Sequence, residues 1–213
     1  MAGVLLIPPA AIARRIAWMG AALAARRPGP DPLLVALLDG AAPFATDLAR
    51  AIPFPIELCY RRASSYRGTA STGTVALEPA PACAGRAVIL IDDILDTGRT
   101  LAAARAALEA AGAASVLTCV LLDKPARRVP GGLLTADLVG FTIPDRFVIG
   151  YGLDLDGRFR ELPGISVWNG GGGRGEEAMP DHGGLVDPHD ADRPLTHPPT
   201  PSHTSPRPPP PSP

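Results

Sequence analysis

The run Val88-Ile89-Leu90-Ile91-Asp92-Asp93-Ile94-Leu95-Asp96-Thr97-Gly98-Arg99-Thr100-Leu101 decides the fold. Its four consecutive branched apolar residues read as a strand buried on both faces. Two adjacent carboxylates stand at the carboxyl end of that strand, and a third follows at Asp96. Thr-Gly-Arg-Thr then opens an alanine-rich helix over about 100–111, stopped by Gly112. Open α/β sheets bind ligands outside the carboxyl ends of their strands. Helix N-termini carry unpaired N–H groups that hold phosphate. One segment thus offers acceptors for sugar hydroxyls or a metal beside donors for a phosphate, which suits a phosphorylated sugar. Capping of the helix by Asp96 or Thr97 is the structural alternative, but it explains neither the paired acids nor the glycine.

Working outward, Leu33-Leu34-Val35-Ala36-Leu37-Leu38 reads as a second buried strand closed by Asp39-Gly40. A helix over about 43–50 follows, with proline in its first turn. Ile12, Ile16, Met19 and Leu23 mark one face of an earlier amphipathic helix, and the turn at 28–30 separates it from the strand. Residues 56–61 alternate like a strand with one wet face. Residues 63–74, rich in Ser, Thr, Gly and Tyr, read as a long mobile loop, and loops of that length are usually functional or disordered. Residues 115–122 form another buried strand, with Asp123-Lys124-Pro125 at its end, and two short strands are expected near 138–141 and 147–151. Strand–helix alternation with apolar runs predicts an α/β fold whose mostly parallel sheet is flanked by helices. Asp39, Asp92 to Thr100 and Lys124 would then share one edge of it.

The chain has 213 residues, and nearly all its apolar periodicity lies in 1–167. Beyond, 168–213 holds 12 of the 26 prolines and a glycine run at 170–173, so a disordered tail is expected there. All four histidines, at 182, 189, 197 and 203, fall in that tail. Histidine-dependent nucleophilic catalysis and histidine-ligated zinc are thereby excluded from the folded part, leaving carboxylates, lysine or tyrosine for proton transfer. A net charge of −1 carries no nucleic-acid footprint. Cys59, Cys83 and Cys119 are odd in number, lack metal-type spacing and suit a reducing cytoplasm. No apolar run approaches the ~20 residues of a membrane span.

The acid pair followed by Asp-Thr-Gly-Arg-Thr resembles the 5-phosphoribosyl-1-diphosphate (PRPP) motif of the type I phosphoribosyltransferases. Leu-Leu-Asp-Lys-Pro-Ala-Arg-Arg at 121–128 and the stretch from Val139 to Asp154 resemble the purine-specificity segments of the hypoxanthine-guanine phosphoribosyltransferases. The Ser65-Tyr66 pair resembles that family's catalytic lid. The resemblance spans about 7–167 and implies the family's fold with a small hood, Mg²⁺ as cofactor, and a dimer or tetramer. It also implies purine salvage: transfer of the phosphoribosyl group to hypoxanthine or guanine, with release of diphosphate.

By that resemblance, Asp92 and Asp93 accept bonds from the ribose hydroxyls, directly or through the metal and its waters. Asp96 is the general base for the purine N7 proton. Thr97, Gly98, Arg99 and Thr100 hold the 5′-phosphate. Lys124 donates to the exocyclic O6, which favours 6-oxopurines over adenine because lysine has donors only. Phe147 stacks on the base, with core packing as its structural alternative, and the Val148 backbone reads the 2-position. Asp154 binds Mg²⁺, Arg160 meets the diphosphate or is a surface arginine, and Ser65 and Tyr66 close over the reacting centre. Asp39 and Gly40 belong to a diphosphate loop that takes a cis peptide in the family.

Asp39 stands where relatives commonly carry Lys or Arg. An anion near a polyanionic ligand predicts weakened PRPP binding, and restoring lysine at 39 should then lower the KM for PRPP. Asp-Asp also replaces the common Glu-Asp, a change that water can absorb. A PRPP- or nucleotide-binding regulator on the same fold is the alternative function. Such regulators typically lack an acid at the position of Asp96 and favour a basic face.

Overall fold

A computed structural model describes residues 3–26, 28–65, 75–78 and 82–170. Its element order is β1 (Val4–Ile7), α1 (Pro9–Arg26), β2 (Leu33–Leu38), α2 (Ala42–Ala51), β3 (Glu57–Ser65), β4 (Val75–Glu78), β5 (Ala87–Leu95), α3 (Arg99–Ala110), β6 (Ser115–Asp123), β7 (Leu138–Thr142), β8 (Val148–Ile149) and β9 (Ile165–Val167). Six strands form the main sheet in the order β4-β3-β2-β5-β6-β7, and the five from β3 to β7 in that order run parallel. Only β4, at one edge, is antiparallel to its neighbour.

The continuous apolar runs of β2 and β5 have a direct structural cause. Leu34, Ala36, Ile89 and Ile91 face α1 and α2, packing with Ile12, Ile16, Met19, Leu23, Phe44 and Leu48. Leu33, Val35, Leu37, Val88 and Leu90 face the other way, onto Leu101, Ala104 and Leu108 of α3. A strand covered on both faces has no polar side to show, so alternation disappears. Each fully buried Leu, Ile or Val contributes about 1.5–3 kcal/mol by leaving water. Arg15 is buried within this packing, its guanidinium 5.3 Å from the Trp18 ring centre and 5.2 Å from that of Phe141.

Three boundaries differ from the sequence expectation. β5 runs on through the acid pair to Leu95, because β6 continues to offer partners: Asp92 pairs with Val120, Ile94 with Leu122 and Leu95 with Asp123. β3 extends to Ser65, so residues 63–65 belong to a strand rather than to a loop. Phe147 precedes β8 instead of opening it.

A second, three-stranded sheet in the order β1-β9-β8 forms the hood. β1 joins Val167 to Val4, and β8 joins Val148 to the same residue from the other side. The tail expected to be disordered begins at Trp168; from residue 171 onward it lies outside the described residues, as does Tyr66. Among the described residues, no helix is long and apolar enough to cross a membrane.

Candidate active site

Parallel strands deliver their carboxyl ends to one edge, and Asp39, Gly40, residues 92–100 and Lys124 collect there. Leu38 lies beside Arg62 in the β2–β3 register, and Leu95 lies beside Asp123 in the β5–β6 register. The main-chain N–H of Lys124 donates to the Leu95 carbonyl at 3.0 Å, which ties Lys124 to the start of the loop at 96–100. Asp92, Asp96, Thr97, Gly98 and Thr100 line one cavity at this edge.

The loop at 96–100 is shaped by Gly98. Its φ of +79° is left-handed, and a Cβ there would stand 2.2 Å from the Leu133 carbonyl oxygen. Gly98 occupies the N-cap position of α3, and no side chain caps the helix. Asp96 and Thr97 are therefore not its caps, although Thr97 Oγ1 accepts a long bond of 3.4 Å from the Arg99 N–H. Apart from that of Arg99, the first-turn amides of α3 stay available for an anion.

Asp92 and Asp93 keep part of their surface open to the cleft. Loss of hydration pushes the carboxyls of both up from the ordinary carboxylate range, Asp92 further because the charge of Asp93 lies beside it. Gly40 packs directly on this pair, since a Cβ at that position would overlap Asp93 Oδ2. The Leu38–Asp39 peptide is cis. A carboxyl with a higher pKa in the folded chain binds protons more tightly there than when unfolded. The ligand-free protein should therefore lose stability as pH rises from the ordinary carboxylate range through the raised values. Asp92→Asn is expected to remove most of that slope and raise Tm at neutral pH, by about 2–4 °C per kcal/mol recovered. Melting curves from pH 4 to 8 check this, and an unchanged slope would refute it.

Among the described residues no three His, Cys, Asp or Glu side chains converge on a ready-made metal cage. Mg²⁺ characteristically takes one or two carboxylates and completes its shell with phosphate oxygens and water. Two crowded, poorly hydrated carboxylates at an open cleft fit that demand. Asp154 has Oδ1 paired to Arg160 at 2.8 Å and Oδ2 accepting the Gly157 N–H at 2.7 Å. Arg160 also donates to the Gly152 carbonyl at 2.5 Å, so it is a structured arginine rather than a free surface one. Tyr151, at φ +51°, is anchored by its hydroxyl, which donates to Asp47 Oδ2 of α2 at 2.6 Å.

Lys124 is buried to 8 % exposure. Phe147 is 51 % exposed, so core packing does not explain it; Val148 beside it is buried in the hood. Ser65 pairs through its backbone with Val75 at the end of β3. Asp96 Oδ1 accepts from Arg127 Nε at 3.0 Å, and the same nitrogen stands 3.8 Å from Asp145.

Arg128 carries a role that the sequence reading left unassigned. One terminal nitrogen donates to the carbonyls of Leu95 at 2.7 Å, Asp96 at 2.5 Å and Lys124 at 3.0 Å, and Nε reaches the Leu134 carbonyl at 2.9 Å. The other terminal nitrogen pairs with Asp123. A single guanidinium thus joins the ends of β5 and β6 to the segment that packs on Gly98. The Arg-Arg after Lys-Pro was visible in the sequence, but the carbonyls it gathers were not.

Fold and site together define a phosphoribosyl transferase domain, and that family's pattern matches residues 10–156. More narrowly, the chain belongs to the hypoxanthine-guanine phosphoribosyltransferases. It is 41% identical over 152 residues to the hypoxanthine-guanine phosphoribosyltransferase of Streptococcus pneumoniae strain R6, covering 70% of this chain and 83% of that protein. It superposes on a Staphylococcus aureus hypoxanthine phosphoribosyltransferase structure with a TM-score of 0.70 and 35% identity, covering 76% of this chain and 89% of that one. It is also 41% identical over 165 residues to the bifunctional protein TilS/HprT of Listeria innocua, covering 76% of this chain. The chain spans only 25% of the length of that bifunctional relative.

Proposed function

We propose that this chain is a purine-salvage enzyme that transfers the 5-phosphoribosyl group from PRPP to hypoxanthine or guanine, giving the nucleoside 5′-monophosphate and diphosphate. The observation that carries this reading is the shared edge: the acid pair, the phosphate loop and Lys124 meet at the ends of β5 and β6, with Lys124 N–H bonded to the Leu95 carbonyl.

In this reading Thr97, Gly98, Arg99 and Thr100 hold the 5′-phosphate, and Asp92 and Asp93 orient the ribose. Mg²⁺ would be held by one or two of the carboxylates of Asp92, Asp93 and Asp154, with phosphate oxygens and water completing its shell, and would neutralise charge on the departing diphosphate. Arg160 and the amides of Asp39 and Gly40 meet the same diphosphate. Asp96 accepts the N7 proton as the new bond forms at the anomeric carbon, after releasing Arg127. Phe147 stacks on the base and the Val148 backbone reads its 2-position. Ser65 and Tyr66 close the site against water, which would otherwise capture an oxocarbenium-like centre. Residues 1–167 form the catalytic unit, separate from the 168–213 tail, acting in the cytoplasm as a homodimer or homotetramer.

The test is a steady-state assay with PRPP and Mg²⁺, offering hypoxanthine, guanine, xanthine and adenine separately. Turnover of 6-oxopurines that disappears without Mg²⁺ supports the proposal. Nucleotide binding with no turnover of any base would instead support the regulatory alternative, against which Asp96 and the net charge of −1 already weigh. Within the assay, Lys124→Gln is expected to lower kcat/KM for hypoxanthine by roughly 10–100-fold, the worth of a hydrogen bond from a charged donor. The gap to adenine should narrow at the same time. An unaltered hypoxanthine-to-adenine ratio would remove Lys124 from base recognition.

A further inference from the structure

Asp39 is not the bare anion that the sequence alone leaves facing the ligand. Arg62, the β3 neighbour of Leu38, sits directly beside the loop. Its two terminal nitrogens grip both carboxylate oxygens of Asp39, at 2.9 Å and 3.3 Å. The fork leaves the remaining N–H groups of the guanidinium free to point outward, and its side chain is 65% exposed. Behind the same loop, Gly40 touches Asp93. A polyanion arriving with a divalent cation would therefore find acids for the cation on one side of the loop and a guanidinium for its own oxygens on the other.

We infer that Arg62 is a binding residue for the diphosphate of PRPP, and that Asp39 is the positioning residue that holds its guanidinium at the loop before the ligand arrives. The pairing cancels the repulsion expected from Asp39. It also pre-organises a side chain that would otherwise lose much rotamer freedom on binding. A planar fork that already meets a carboxylate in two places suits phosphate oxygens by the same geometry. This inference rests on the PRPP reading of the site.

The experiment measures KM for PRPP, KM for hypoxanthine and kcat in Arg62→Gln, Asp39→Asn, Asp39→Lys and the Arg62→Gln/Asp39→Asn pair. Melting temperatures are taken alongside to confirm folding. Arg62→Gln should raise KM for PRPP about tenfold, the scale of one charge-assisted bond, with the other two constants nearly unchanged. Asp39→Asn should raise KM for PRPP less, and the double variant should be no worse than Arg62→Gln alone. Asp39→Lys should give no fall in KM, since it drives Arg62 away. A fall in KM on Asp39→Lys or Asp39→Asn, or an unchanged KM in Arg62→Gln, would overturn the inference while leaving the transferase reading intact. If the wild-type protein turned over no base, titration of inorganic diphosphate with Mg²⁺ would still decide it: weaker binding by Arg62→Gln supports the role, and equal binding refutes it.

Discussion

Asp96→Asn is expected to lower kcat by about 10²–10⁴-fold, the range spanned by a positioned general base, while KM for PRPP changes little. The substitution keeps shape and one carbonyl oxygen, so Arg127 retains an acceptor and the loop keeps its course. What disappears is a group able to take a proton. Asp96 lines the same cavity as Thr97, Gly98 and Thr100, between the phosphate loop and the lysine-bearing end of β6. Its carboxylate is tethered by an exposed arginine that can swing toward Asp145 instead. Single-turnover kinetics on Asp96→Asn would isolate the chemical step. A loss smaller than a few-fold would show that proton removal from the base is carried elsewhere or is left to water.

Arg128→Met should have the largest effect on stability. Breaking a buried pair by removing one partner costs about 3–5 kcal/mol, because the remaining charge is stranded. The Arg128 and Asp123 side chains are 11% and 17% exposed, so little solvent screening softens that penalty. Three carbonyls, of Leu95, Asp96 and Lys124, lose a donor at the same time. Urea unfolding should register the drop as a lower midpoint. Arg128→Met combined with Asp123→Asn should recover part of it, because no unpaired anion remains. If the single variant unfolded no more readily than the wild type, the guanidinium would be ornamental. Catalysis should fall too, since the carbonyls it gathers flank both the proposed base, Asp96, and Lys124, the residue proposed to read the purine.

Local patterns made most of the scaffold readable. Buried strands announce themselves by unbroken apolar runs, as at 33–38 and 88–91, and the turn residues Asp39-Gly40 and Gly112 punctuate them. The extension of β5 through Asp92 and Asp93 was hidden because adjacent acids normally end a buried strand. Here the neighbouring strand supplies backbone partners up to Leu95, while both carboxylates keep an outlet to the cleft. Strand register decides the rest. Nothing near Asp39 in the chain reveals that Arg62 lies beside it, because the pairing follows from how β2 and β3 align. Arg128 was legible as a residue but not as a hub, since its acceptors are main-chain oxygens from three places. Of the three hood strands only β8 was expected, near 147–151; β1 and β9 escaped notice for a related reason, being short and finding each other only across the whole domain.

That last pairing has a bearing on synthesis. β1 precedes the main sheet in the chain, yet its partner β9 emerges only after the entire main sheet has been translated. All five parallel strands can dock while Val4 still waits for Val167. Such long-range closure carries the greatest loop entropy and tends to come late. Phe147 belongs to this late region, its carbonyl held by the Trp168 N–H at 2.8 Å. A nascent chain would therefore complete the edge that carries the acid pair, Gly98 and Lys124 before the hood and Phe147 are in place.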